Sequence, residues 1–109
     1  MGVHPVELGE EFRQQLGKLE SGDKEQILEV LRAIEEQGPQ RLVPLQFIDL
    51  AAGMQEKISP ALRVRLLIGE AHLATTKAGN WRLFFLRIRE KTSVLFLVRR
   101  PELRLSEGP

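Results

Sequence analysis

The side chains with the most chemistry to offer are three arginines near the end of the sequence. Arg82 opens the apolar run WRLFFLRI, and Arg99 and Arg100 close a second apolar run, SVLFLVRR, that follows almost at once. Guanidinium groups stay charged and donate hydrogen bonds in pairs, which suits them to phosphate or carboxylate. They are too basic to shuttle protons near neutrality, so together they offer anion binding and charge stabilisation. Trp81 beside Arg82 could stack on a nucleic-acid base or simply cap the edge of a sheet. His72 is a group that could titrate near neutrality, but it stands alone in a connector. With no cysteine, and with His4 and His72 lacking ligand spacing, neither thiolate chemistry nor a metal or other cofactor is expected.

The elements that position these groups change character halfway along the chain. Leu8, Phe12, Leu16 and Leu19 recur at three- and four-residue spacing and predict a first helix. SGD at 21–23 breaks the pattern, with Asp23 as N-cap and Gln26 completing a capping box. Ile27, Leu28, Leu31 and Ile34 form the stripe of a second helix, ended by Gly38 and Pro39. Residues 41–59 mix Pro, Gly and a short apolar group, and are expected to be a loop with a helical turn. After Pro60 the period becomes two, Leu62, Val64, Leu66 and Ile68 alternating with Arg63 and Arg65, which predicts a half-buried strand. The connector 69–80 has room for a short strand near Ala71–Thr75 and ends in a Gly-Asn turn.

Strands at 81–89 and 92–100 are expected to form a hairpin about Glu90 and Lys91, which sets Arg82 opposite Arg99, or opposite Arg100 if the loop is one residue longer. Like charges so placed repel unless an anion lies between them. Phe84, Leu86, Leu95 and Leu97 then share one face, and Leu83, Phe85, Phe96 and Val98 the other. Two helices cover only one of these faces. The second must be shielded by 41–60, by a homodimer partner or by another protein.

At 109 residues, 42% hydrophobic and 28% charged, the chain fits one compact domain. Its expected layout is a helix pair at about 7–37, a linker at 38–60, a sheet at about 61–100 and a short tail at 101–109. No run is long enough to cross a membrane and no signal-like start is present, so a cytoplasmic location is expected. Residues 1–60 carry six Lys/Arg against eleven Asp/Glu, and residues 61–109 carry ten against four. The second half is the one that could present a basic surface.

Two segments carry a family resemblance. LRAIEEQGPQRLVP (31–44) is similar to the end of the second helix in the RelE/ParE/HigB superfamily of type II toxins, closest to its HigB-like, phage-associated branch. LRVRLLI (62–68), NWRLFFL (80–86) and SVLFLVRR (93–100) resemble that branch's strands, the last ending in paired basic residues. The resemblance implies an α+β fold, a helix pair packed on a small antiparallel sheet. It also implies a metal-independent endoribonuclease that cuts mRNA, often on the ribosome, and is neutralised by an antitoxin protein. Arg82, Arg99 and Arg100 fall on catalytic, phosphate-stabilising positions, and Arg65, Trp81 and Lys91 are assigned to RNA binding. Such enzymes set the ribose 2′-hydroxyl against the adjacent phosphate and stabilise the charge that develops there. The chain departs from its relatives in having no tyrosine and in ending nine residues after Arg100. The departures favour the alternative, a catalytically inert toxin-fold module that acts only by binding protein, whether ParE-like or phage-derived.

Overall fold

The computed structural model describes residues 4–100; the predicted tail at 101–109 lies outside them. The elements are β1 (Val6–Leu8), α1 (Glu10–Gly17), α2 (Ser21–Gln37), β2 (Val43–Leu45), α3 (Ala52–Gln55), α4 (Pro60–Leu67), β3 (Ala71–Ala78), β4 (Trp81–Ile88) and β5 (Lys91–Arg99), with 3-10 turns at Pro39–Arg41 and Phe47–Asp49. One sheet of order β1-β5-β4-β3-β2 results, with β1 parallel to β5 and the other neighbours antiparallel. This is the α+β architecture expected of the sequence.

The helix pair forms where the apolar stripes predict it, with adjusted ends. Leu8 belongs to β1, not α1, because Gly9 carries the backbone tight against β5: its N–H donates to the Val94 carbonyl at 2.8 Å, and a Cβ there would sit 2.6 Å from that same oxygen. The chain turns into α1 only beyond this contact. α2 starts at Ser21, with Glu20 as N-cap, so Asp23 lies in the first turn, where its charge complements the helix dipole. α2 ends as expected at Gly38, whose φ of 91° and ψ of −176° lie in a region that glycine alone enters freely. Phe12, Ile27, Leu31 and Ile34 meet Leu83, Phe85, Val94 and Leu97 in a core on this face.

The predicted strand at 62–68 is instead α4. Ser59 caps it, its hydroxyl accepting from the Leu62 N–H at 3.2 Å, and Pro60 takes the first helical position, where a missing N–H costs nothing. Within the alternating run, Leu62 and Leu66 are also an i, i+4 pair. They pack against the sheet while Val64, Leu67 and Ile68 face outward. Arg63 ties α4 to the segment before it, donating to the carbonyls of Ile58 (3.1 Å) and Gln55 (3.0 Å). The 41–59 segment contains, besides its helical turns, the unpredicted edge strand β2, paired with β3. Together with α4 it covers the second face: Leu50, Met54, Ile58, Leu73, Phe84 and Phe96 form a second core there. Of the three covers considered for this face, the 41–60 segment supplies it from within the chain, joined by α4.

The hairpin also differs from expectation. Ile88 pairs with Lys91, so the turn is Arg89-Glu90, one residue earlier, and a bulge at Leu95 shifts the register beyond it. Trp81 faces Arg99 and Arg82 faces Val98. Because strand side chains alternate between faces, this shift separates Arg82 from Arg99 across the sheet. It also places Phe96 against Phe84, ring centroids 5.1 Å apart, and Leu97 on the helix-pair face.

Candidate functional site

The first residues of β4 and the last of β5 make one end of the sheet, and there the predicted arginines meet. Arg82 lies between Val98 on β5 and Lys77 on β3. Arg100 is held against the turn that precedes β4, its backbone N–H donating to the Asn80 carbonyl (2.8 Å) and its guanidinium to the Gly79 carbonyl (3.1 Å). Burial, and then the charge of Arg100, hold the Arg82 guanidinium below the ordinary arginine value. The direct Arg82–Arg99 opposition is absent, and the like charge that acts on Arg82 is that of Arg100. Arg82 Nε is buried without a hydrogen-bond partner among the described residues. Arg87 Nε shares that property at the far end of β4, so it is the neighbouring Arg100 that sets Arg82 apart.

Trp81 and Arg99 lie on the helix-pair side and line two adjoining cavities. One, of about 570 Å³, runs towards α3 and is also lined by Gln15, Met54, Lys57 and Val98. The other, of about 450 Å³, opens towards the start of α2 and includes Lys18, Glu20, Asp23 and Asn80. Lys57 was not visible in the sequence, because it follows an aperiodic stretch. Its ammonium lies 4.8 Å from the centre of the Phe96 ring and pairs with Glu11. It lines the first cavity as a cation beside Arg99.

Not every predicted site residue joins this end. Arg65 and Lys91 line a different cavity of about 820 Å³, with Ile88, Arg89 and Glu90, at the hairpin-turn end. Arg89 is seven residues along the chain from Arg82, roughly 23 Å at the usual strand rise. The two predicted residues there each have a carboxylate partner: Arg65 pairs with Glu70 at 3.3 Å and Lys91 with Glu7. Arg65 belongs to α4, not to a strand of the sheet, and so does not reach the arginines of β4 and β5. His72 lies at the same far end, exposed and opposite Arg87. Of the residues singled out in the sequence, the structure brings Trp81, Arg82, Arg99 and Arg100 to one end of the sheet and sets Arg65 and Lys91 at the other. What the arrangement can do chemically is bind an anionic chain at one end of the sheet and stabilise charge developing on it.

No protein-family model and no curated protein sequence matches the chain. Among solved structures it is similar to a chain of the archaeal RelE-RelB complex from Pyrococcus horikoshii OT3, with a TM-score of 0.63 and 14% identity over 92% of this chain and 98% of that one. No described helix is long and apolar enough to cross a membrane. At this identity the likeness establishes the architecture, and the chain has the RelE-like α+β fold.

Proposed function

We propose that the chain is a toxin of the toxin–antitoxin type that cleaves mRNA without a metal ion, nearest in its sequence segments to the HigB-like branch. The observation that carries this reading is the cation cluster of Arg82 and Arg100, with Arg99 alongside, on a RelE-like fold. Arg82 and Arg100 repel one another and Arg82 is partly desolvated, so a phosphate between them relieves both costs. Arg99 and Trp81 extend the surface along which a single strand can run. Lys57 and its partner Glu11 supply the proton exchange that guanidinium groups do not. The 2′-hydroxyl then attacks the adjacent phosphorus, the 5′-oxygen leaves with a proton, and a 2′,3′-cyclic phosphate remains.

An antitoxin partner follows from the same reading. The similar structure was solved as a RelE-RelB complex. Here Ile48, Val64, Leu67 and Ile68 expose apolar surface on the outer side of the α4 region, available to a protein.

The test is cleavage of single-stranded RNA and of ribosome-bound mRNA in the presence of EDTA. We expect products ending in 2′,3′-cyclic phosphate. Cleavage that EDTA abolishes, or that leaves a 3′-hydroxyl, overturns the metal-independent mechanism. No cleavage in either setting leaves the inert binding module as the better reading.

A further inference from the structure

The two cavities that meet at Trp81 and Arg99 differ in charge. The α3-side cavity carries Lys57, whereas the other adds Glu20 and Asp23 to Lys18 and Arg99. Its two carboxylates offset its two cations, so of the two cavities this one is the less favourable for the backbone of a nucleic acid. Its other walls suit something flat and apolar on its faces: the Trp81 indole and Leu19 line it. Its volume of about 450 Å³ has room for one nucleobase and its ribose. Its lining therefore combines a stacking surface with two carboxylates that have no ion pair among the described residues.

Which base fits follows from the donors at its edge. A carboxylate accepts two parallel N–H groups, and guanine alone presents two adjacent donors, N1–H and the 2-amino group, on its Watson–Crick edge. Adenine and cytosine set an amino group beside an acceptor, and uracil flanks its single N–H with carbonyls that a carboxylate repels. Asp23 is half-buried and fixed in the first turn of a 17-residue helix, so its position is set before any ligand arrives. Strand alternation sends the Trp81 side chain to the helix-pair side and that of its neighbour Arg82 to the other. A phosphate on Arg82 and Arg100 therefore leaves an adjoining base free to turn round the end of the sheet.

We propose that the cavity of Trp81, Asp23 and Glu20 is a guanine pocket, in which the base stacks on the indole and donates to the carboxylates while its phosphate lies towards the arginines. The pocket deepens the RNA-binding reading and rests on it for its biological ligand, but its own test is independent. Trp81 is the single tryptophan and the chain has no tyrosine, so the protein's emission reports this site alone. Titrations use guanosine, inosine and uridine monophosphates, the second being the first without its 2-amino group.

Guanosine monophosphate should quench the emission and bind at least about fivefold more tightly than either competitor, the scale of one good bidentate contact. Asp23→Asn, or Glu20→Gln should the first variant fold poorly, should bring guanosine down to the level of inosine while stacking on Trp81 persists. Equal quenching by guanosine and uridine monophosphates, or none by either, overturns the pocket. A short single-stranded RNA titrated in parallel separates the two readings. Salt-dependent RNA binding lost in Arg82→Ala but without guanosine preference removes the pocket alone. Guanosine preference without such RNA binding removes the phosphate site alone.

Discussion

The two ends of the central hairpin carry the same kinds of side chain and differ in what surrounds them. At the turn end, Arg65 and Lys91 each have a carboxylate partner, Glu70 and Glu7, and β1 pairs along the outer edge of β5 through Thr92, Ser93 and Val94. At the open end, Arg82 and Arg100 have no ion pair among the described residues, and burial sets one cation against the other. There β1 has already turned away, and among the described residues the edge of β5 takes its side-chain hydrogen bonds from Gln15. Compensated charge on a closed edge is what stability alone favours. Uncompensated charge beside an edge closed by one amide costs stability and is the pattern expected where something binds.

The largest expected difference between the ends is in RNA affinity. Arg82→Ala should weaken binding by about 1–3 kcal/mol and lower the salt slope of log affinity by about one, as for a lost charge-assisted phosphate contact. Lys91→Ala at the other end should change both by little. Folding stability should hardly fall in Arg82→Ala, and can rise, since the substitution removes a desolvated cation and its repulsion with Arg100. Paired RNA titrations at two salt concentrations and thermal melts of both variants measure this. Equal losses at Arg82 and Lys91 would erase the distinction between the ends.

That distinction is only half legible in the sequence. The clustering of Trp81, Arg82, Arg99 and Arg100 can be read from two adjacent strands, because a hairpin brings the start of one to the end of the next whatever its exact register. Register itself cannot be read so closely: a turn at Arg89-Glu90 and a bulge at Leu95 leave no composition signal, yet they decide which face each arginine takes. Arg65 was misplaced because a run alternating apolar and basic residues fits a strand, while its Leu62 and Leu66 also fit a helix face. The deciding signal was present in Ser59-Pro60, an N-cap followed by a proline at the first helical position. Lys57 and the three-residue β1 and β2 had no such signal, since their positions are imposed by packing against distant strands.

A second contrast concerns the edge of β5. Gln15 closes it by donating to the Leu97 carbonyl at 2.9 Å and accepting from the Leu97 N–H at 2.7 Å, as a paired strand residue does. Gln15→Ala should cost about 1–2 kcal/mol of stability, two partly buried hydrogen bonds offset by the better helix propensity of alanine. Amide exchange at Leu97 should accelerate while that at Val94, beside β1, stays slow. Should exchange at both rise equally, the edge is held by the strand as a whole and Gln15 is incidental.

The smallest expected effect, and of opposite sign, lies at the turn end. Arg89 has a φ of 58°, the one non-glycine positive φ among the described residues, at the first position of a two-residue turn that favours glycine. A side chain there crowds the following carbonyl, at a cost of about 1–2 kcal/mol for an ordinary residue. Arg89→Gly removes that strain but adds freedom to the unfolded chain, about 0.5–1 kcal/mol the other way. The net expectation is stabilisation by a few tenths to about 1 kcal/mol, read as a higher denaturation midpoint at unchanged slope. Arg89 is exposed and lies at the turn end, away from the arginine cluster, so RNA affinity should stay within about 0.5 kcal/mol of the parent. A loss of RNA affinity comparable to that of Arg82→Ala would show that the anionic ligand spans the hairpin from end to end, and that the strained turn is held in place for binding rather than merely tolerated by the fold.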